Sequence, residues 1–449
     1  MRVLIIGSGN AGRTLAAKLC MEKHDVVVID RRAEPLAELQ SQLDILTIQG
    51  EGASPSVLAK AEVAKADLVV AVTDRDEVNV LACLLAHRAG VRHKVARVAN
   101  PDFIHPPDPF RFDGTAIDMI VSQKEECAQE LFNILRMPGT LEAVDLLEGR
   151  IAAVGVKVHM DSPLLRAPLR TFPNPDLLRS IRFIALVRGD ALMIPRGDTQ
   201  FMVGDDIYFA GRPADVTTFL EWAWPEHSKF EKVIIAGGGD LGLHLAQLLE
   251  PTSMQVVLVE RDEARANHCS SILNRTLVIK GNALDKETLQ NAGIVEGCAF
   301  VAATGSDENN IIGCLLAADM KARFTLAQVA KPEYVPIIDS LSLLDRAVSP
   351  PLSMINAILH FVRGQNVKAA ALFHKLPGEL LDVVIPPKGK WAGKAIKDID
   401  MPRSVVIAAI SRGDEILVAT GDVVLAVGDR LILFSTPQAV GKLEPLFHK

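Results

Sequence analysis

The sequence predicts an α/β fold: two parallel-sheet domains in one chain, each followed by a small α+β domain. Three observations predict it. A glycine-rich turn occurs twice in the same setting. The two halves stay in register at a nearly constant offset. In each half, short β-branched runs alternate with Ala/Leu-rich helical stretches. Self-similarity at one long offset marks duplicated domains.

The first turn follows the run Val3-Leu4-Ile5-Ile6 and reads Gly7-Ser8-Gly9-Asn10-Ala11-Gly12. The second follows Val233-Ile234-Ile235-Ala236 and reads Gly237-Gly238-Gly239-Asp240-Leu241-Gly242. Eighteen residues after the last glycine of each, closing the next apolar run, stands a carboxylate, Asp30 or Glu260. Gly7 and Gly237 lie 230 positions apart, as do Asp30 and Glu260. After one inserted position the shift is 231, which pairs Gln49-Gly50 with Lys280-Gly281 and Ala71-Val72-Thr73 with Ala302-Ala303-Thr304. The same shift pairs Asp76-Glu77-Val78-Asn79 with Asp307-Glu308-Asn309-Asn310, and Asn100-Pro101 with Lys331-Pro332.

The duplication continues into the small domains. Val187-Arg188-Gly189-Asp190 resembles Ser411-Arg412-Gly413-Asp414, and Val203-Gly204-Asp205-Asp206 resembles Val427-Gly428-Asp429-Arg430, both at a shift of 224. Apolar and polar residues alternate there between Gly-Asp turns, the pattern of short antiparallel strands. The shrinking offset gives the first half extra residues around His105-Pro106-Pro107-Asp108-Pro109, read as a loop. The expected organisation is a parallel-sheet domain at 1–138, a small domain at 139–225, a second parallel-sheet domain at 230–364 and a second small domain at 365–449. On this reading 1–225 and 226–449 are separable halves.

In the first half the strand-like runs are 3–6, 26–29, 45–48, 68–72 and 95–98. Their rhythm predicts βαβ units, a parallel sheet with helices on both faces, and hence a Rossmann-like module. Chemistry follows from position. The first glycine permits a tight turn, the second lets backbone approach a pyrophosphate, and the third lets the helix pack against its strand. The helix that starts near Ala11 directs free amides and its positive end at phosphate oxygens. Asp30 or Glu260 would accept hydrogen bonds from ribose hydroxyls and repel a 2′-phosphate, so NAD(H) is expected at both sites in preference to its phosphorylated form. Thr73-Asp74 and Thr304-Gly305 follow the fourth strand, where the carboxyl edge of such a sheet forms the ligand crevice. Arg97, on the fifth strand, is placed to reach a phosphate; Gln328 stands at the matching position. The two sites are therefore expected to differ, the first tolerating polyphosphate charge better.

Composition narrows the function classes. No apolar run reaches the roughly 18–20 residues that span a bilayer, and Met1 leads straight into a strand, so a soluble, intracellular protein is expected. The six cysteines form no Cys-x-x-Cys pair and sit mostly in apolar stretches, as buried free thiols do. The net charge is −7 and no basic stripe is interleaved with aromatics, so nucleic acid is not an expected partner.

With the turns, the carboxylates, Val72-Thr73 and the Asp76-Glu77-x-Asn79 helix start in view, the chain resembles the nucleotide-binding regulatory subunits of bacterial and archaeal Trk/Ktr potassium uptake systems. These are built from RCK, or KTN, domains. The resemblance covers essentially the whole chain in the tandem order N-domain, C-domain, N-domain, C-domain. It includes the Leu135-x-x-Pro138-Gly139 link and the stretch from Ile410 through Leu431. It implies a cytoplasmic protein, peripheral on the inner face of the cell membrane. Such a protein forms a homo-oligomeric ring, a tetramer, beneath an integral membrane potassium-translocating subunit. NAD(H), or ATP and ADP, would change the ring's shape and gate the pore. Carried over by motif, the binding positions are Gly7 to Gly12, Asp30, Thr73, Asp74 and Arg97, with Gly237 to Gly242, Glu260, Thr304 and Gly305 in the second half. The proline-rich insert departs from the family's pattern on the way to the linker helix.

Two other readings stand beside this one. A Rossmann-fold NAD-dependent oxidoreductase needs a proton donor or acceptor near its substrate. The chain has only two tyrosines, Tyr208 in a β-rich segment and Tyr334 with Ile338 four residues on, so it has no Tyr-x-x-x-Lys pair. His244 and His268 read as helix-surface residues, and no catalytic residue is assigned. The other reading is a gating subunit for a different cation transporter, since the ion is selected by a pore on another chain.

Overall fold

Each glycine turn grows out of the first strand of a six-stranded parallel sheet. The computed structural model of the chain describes residues 1–104, 116–137, 139–147, 149–172, 175–189, 191–224, 230–341, 343–366, 369–371, 376, 378–387, 389–402 and 404–436. The expectations for Pro138, Asp190 and His105-Pro106-Pro107-Asp108-Pro109 lie outside the described residues.

The first sheet and its helices run β1 (Arg2–Ile6), α1 (Asn10–Met21), β2 (Asp25–Asp30), α2 (Ala33–Gln42), β3 (Leu46–Gln49), α3 (Pro55–Lys60), β4 (Leu68–Ala71), α4 (Asp76–Arg88), β5 (His93–Arg97), α5 (Pro101–Ile104), β6 (Met119–Val121) and α6 (Gln123–Arg136). The strand order is β3-β2-β1-β4-β5-β6, all parallel. The order reverses between β1 and β4, and that switch point is where such sheets open a crevice beyond their carboxyl ends. The central strands are apolar because both faces are covered: Val3 to Ile6, Val26 to Ile29 and Leu68 to Ala71 are all buried. β6 adds a sixth strand to the five runs read from sequence.

Next come β7 (Thr140–Leu146), β8 (Ile151–Lys157), α7 (Pro175–Ser180), β9 (Ile181–Arg188), β10 (Ala191–Met193), β11 (Asp206–Gly211) and α8 (Pro213–Ala223). Their sheet is antiparallel in the order β10-β9-β11-β8-β7. The second half repeats the plan with β12 (Lys232–Ala236), α9 (Asp240–Leu249), β13 (Gln255–Glu260), α10 (Glu263–Ile272), β14 (Leu277–Lys280), α11 (Lys286–Asn291), β15 (Ala299–Ala302), α12 (Asp307–Asp319), β16 (Phe324–Gln328), α13 (Tyr334–Leu341), β17 (Arg346–Val348) and α14 (Pro350–Asn366). Its order is β14-β13-β12-β15-β16-β17. A last antiparallel sheet orders β18 (Ala369–Ala371), β19 (Glu379–Val384), β20 (Val405–Arg412), β21 (Glu415–Leu417) and β22 (Arg430–Ser435) as β18-β19-β22-β20-β21.

The register locates the insertion. Val98 donates its amide to Val121 and Val329 donates to Val348, so the offset falls from 231 to 227 between the fifth and sixth strands. The Arg-Gly and Gly-Asp pieces of the small domains prove to be one device. Arg188 forks onto Asp205 at 2.8 and 2.7 Å, and Arg412 onto Asp429 at 2.8 Å twice. At the link, Leu135 is buried and Gly139 takes φ +78°, which lets α6 turn into β7.

Compactness does not follow the sequence halves. One unit joins Met1–Phe132 to Phe230–Leu359 and so holds both parallel sheets; the other joins Asn133–Lys229 to His360–Lys449. Within the second unit the repeats share a core in which Leu146, Ala153 and Tyr208 pack with Leu380, Val406, Ile432 and Phe434. Arg150 Nη1 and Arg212 Nη2 donate across it to the Gly413 and Ile416 carbonyls at 3.2 and 3.1 Å. Within the first unit α6 meets α14, where Ser353 Oγ donates to the Glu130 carboxylate at 2.6 Å. Among the described residues no helix is long and apolar enough to cross a membrane.

Candidate nucleotide-binding site

The three glycines of each turn are required for three different reasons. Gly7 and Gly237 take φ +108° and +112°, the left-handed region that a side chain makes costly. The third glycine sits where the helix crosses its own strand: a Cβ on Gly12 would lie 1.9 Å from the Gly7 carbonyl oxygen, and one on Gly242 2.0 Å from that of Gly237. The middle glycine has neither reason. Gly9 has φ −67° and ψ −175°, Gly239 φ −68° and ψ 178°, conformations open to any residue. A Cβ on Gly9 would meet nothing within 4 Å, and one on Gly239 only the tip of Arg265 at 3.3 Å. The chain's own packing leaves these positions open, whereas a phosphate brought against the backbone needs them bare. Helices α1 and α9 start at the next residue, with their unpaired first amides at the same place.

The distal carboxylates brace the turns. Asp30 Oδ2 accepts from the Ser8 amide and from Ser8 Oγ, both at 2.7 Å, while Oδ1 accepts from the Arg32 amide at 2.9 Å. Burial raises the Asp30 carboxyl, but the hydrogen bonds from Arg32 and Ser8 outweigh it and its pKa lies below the usual value. Glu260 does the same work with fewer bonds, accepting from the Gly238 amide at 2.6 Å and the Asp262 amide at 2.8 Å. Asp30 and Glu260 are only 9% and 8% exposed, so neither is a solvated turn residue. A carboxylate has about four acceptor positions, which leaves capacity for ribose hydroxyls.

The edge beyond the fourth strand is held by an asparagine. Asn79 Oδ1 accepts from the Thr73 amide at 2.9 Å and from Thr73 Oγ1 at 2.7 Å, and its Nδ2 donates to the Thr73 and Arg97 carbonyls at 3.1 and 2.9 Å. Asn310 repeats all four bonds with Thr304 and Gln328. Arg97 Nη1 donates to the Thr73 carbonyl at 3.2 Å. With its amide oriented to satisfy both ends, Gln328 donates to the Thr304 carbonyl at 2.9 Å. An uncharged side chain thus makes the same bond in the second half, so this bond does not require the charge of Arg97. Burial lowers the Arg97 pKa, against the opposing pull of Asp76 and Asp74.

Around the first turn these residues enclose a cavity of about 310 Å³, at the small end for ligand pockets. Gly7, Gly9, Asn10, Ala11, Asp30, Thr73, Asp74 and Arg97 line it. Ser8 is buried beneath Asp30, and Gly12 packs against Gly7. Sequence reading missed Arg31, Arg32, Glu51 and Arg75 in the lining, and also Gln123 and Pro351, which reach it from the starts of α6 and α14. At the second turn Gly237, Gly238, Gly239, Asp240, Leu241, Gly242, Glu260 and Thr304 occupy the matching places. Gly305 stands where Asp74 adds a carboxylate, and a Cβ on it would meet nothing within 4 Å. A larger cavity, about 760 Å³, lies in the second unit among Arg170, Arg182, Arg196 and Met401. It has no comparable glycine turn, so the candidate site remains the smaller one.

His268 is exposed on α10 and His244 half-buried on α9. Tyr208 is buried, and the Tyr334 hydroxyl accepts from Lys331 Nζ at 3.0 Å. All six cysteines are free and five are buried. Among the described residues no group of three His, Cys, Asp or Glu side chains is placed to hold a metal.

Comparison with known proteins identifies the family that shares this architecture. The TrkA-N domain matches residues 3–121 and 233–350, and the TrkA-C domain matches 153–223 and 380–448. Together they cover most of the chain. The chain belongs to the TrkA family. A Trk system potassium uptake protein TrkA from Halomonas elongata is 33% identical over 442 residues, spanning 97% of this chain and 95% of that protein. A TrkA homolog from Archaeoglobus fulgidus is 30% identical over the whole of both chains. Among solved structures, the GsuK RCK domain aligns with a TM-score of 0.61 at 22% identity, covering 99% of this chain and 94% of that one. The GsuK channel bound to NAD aligns at 0.60 and 21%, covering 99% and 78%. At that identity the likeness is one of fold, and it matches the tandem domain arrangement of this chain.

Proposed function

We propose that this chain is a nucleotide-sensing regulatory subunit that gates a membrane potassium transporter and catalyses no reaction of its own. The observation that carries the reading is the pair of middle glycines, Gly9 and Gly239, bare in ordinary conformations: a Cβ on Gly9 would meet nothing within 4 Å, and one on Gly239 only the guanidinium of Arg265. Two adenine-nucleotide sites follow, each taking NAD(H) or ATP and ADP, with Asp30 or Glu260 on the ribose and the α1 or α9 start on the phosphates. The names of the TrkA relatives support potassium uptake as the output. The domains proposed are 1–138 and 230–364 for nucleotide and 139–225 and 365–449 for regulation. A homo-oligomeric ring, a tetramer at the inner face of the membrane, would let several copies act symmetrically on one pore.

Affinity purification of the tagged chain from native membranes, followed by identification of the co-purifying integral protein, tests the partner. A potassium-translocating protein is expected, together with potassium uptake that responds to nucleotide and loses that response in a Gly9→Glu, Gly239→Glu double variant. Recovery of a different cation transporter, or uptake indifferent to the double variant, would refute the reading.

A further inference from the structure

The start of α6, in the first half of the chain, reaches the glycine turn of the second half. Lys124, in the first turn of α6, forms an ion pair with Asp240, the first residue of α9. The ammonium is thus held one residue from Gly239, the position whose missing side chain marks the phosphate approach. Arg265, from α10, brings its guanidinium to the same spot, 3.3 Å from where a Cβ on Gly239 would stand.

The first turn has none of these charges. Asn10 stands at the position of Asp240, and Pro35 at that of Arg265. In the register set by β6 and β17, Pro351 matches Lys124, and Pro351 lines the first cavity. Each parallel-sheet domain therefore places the start of its last helix against the turn of the other, but only the second turn receives a cation this way. Asp240 is a carboxylate at a phosphate-binding helix start, where a bound phosphate would meet its charge. Lys124 offsets that charge here, and the pair is about half exposed, so the lysine is free to change partner.

We propose that Lys124 is a ligand-binding residue of the second nucleotide site, supplied by the first half: it pairs with Asp240 in this structure and transfers to the phosphates of a bound adenine nucleotide. The proposal rests on the reading of Gly237 to Gly242 as a nucleotide turn. Exchange of Asp240 for phosphate at Lys124 would make occupancy of the second site felt at α6, which continues in the chain to β7 of the first small domain. It also gives the second site a polyphosphate contact that the Arg97-to-Gln328 difference alone would deny it.

The test uses the full-length chain carrying Gly9→Glu, which blocks the first turn and leaves the second to be read by calorimetry with ADP and with adenosine. Asp240→Asn should strengthen ADP binding, because it removes repulsion and frees the lysine. Lys124→Gln added to Asp240→Asn should weaken ADP about three- to tenfold, less at high salt, and leave adenosine unchanged. Equal ADP affinity with and without Lys124 in the Asp240→Asn background would overturn the proposal, because Lys124 would then only neutralise Asp240. Equal losses for ADP and adenosine would overturn it as a packing effect. If the Gly9→Glu parent binds no ADP at all, the second-site reading itself is wrong and the proposal falls with it.

Discussion

Ser8 and Gly238 occupy one position in the two repeats, and the carboxylate that each faces explains the difference. Asp30 is short and leaves room for a hydroxyl that donates to it at 2.7 Å. Glu260 is one methylene longer, and a Cβ at Gly238 would come within 3.2 Å of its Cβ and Cγ and 3.0 Å of Cys269 Sγ. Asp30→Ala should therefore weaken NADH at the first site by more than a lost ribose bond alone, because the Ser8 amide also loses its acceptor. A hydrogen bond to a charged group contributes roughly 1.5–3 kcal/mol, about 10- to 150-fold in affinity. Calorimetry on Asp30→Ala in a Gly239→Glu background checks this, and affinity within twofold of the parent would reduce Asp30 to a brace. The turns and their carboxylates were legible because local spacing alone defines them. Asn79 was visible only as a repeated letter, since its role depends on bringing Thr73 and Arg97 together across two strands. Gln123, Pro351 and Lys124 were not legible as site residues, because tertiary packing alone carries α6 and α14 to the turns.

At the scale of elements, the seam between α6 and α14 carries an acidic liability. Glu126 and Glu130 lie one helical turn apart on α6. Burial, together with Glu125 and Glu130, pushes Glu126 up to about 7, and burial raises Glu130 despite Ser353 and Arg346. A carboxylate with a raised folded-state pKa holds its proton longer in the folded chain than in the unfolded one. Stability should then fall as pH rises from the ordinary value near 4.5 to about 7, and level off above it. At about 1.4 kcal/mol per unit, the loss from Glu126 is on the order of 3 kcal/mol. Chemical denaturation of the parent and of Glu126→Gln across this range checks it. A parent whose slope with pH equals that of the variant would contradict the assignment. The five longer strand runs of the first sheet were legible in sequence through their β-branched content; β6 and β17, three residues each, are too short to show a pattern.

At the scale of the whole molecule, duplication was legible but the grouping of its products was not. The sequence halves suggest a cut near residue 225, whereas the compact units place like domains together. Nothing in local patterning announces that Tyr208 and Leu380 share a core, because both simply read as buried. Chains cut into 1–225 and 226–449 should each expose that core and self-associate, or recombine when mixed. Light scattering that finds either half a folded monomer would contradict the shared core.

The central claim is that each chain holds two nucleotides, one on each bare middle glycine. Equilibrium dialysis of the full-length protein with adenine nucleotides counts them directly. The account predicts two per chain, one in Gly9→Glu or in Gly239→Glu, and none in the double variant, with circular dichroism unchanged throughout. A double variant that still binds two, or a parent that binds none, would contradict it.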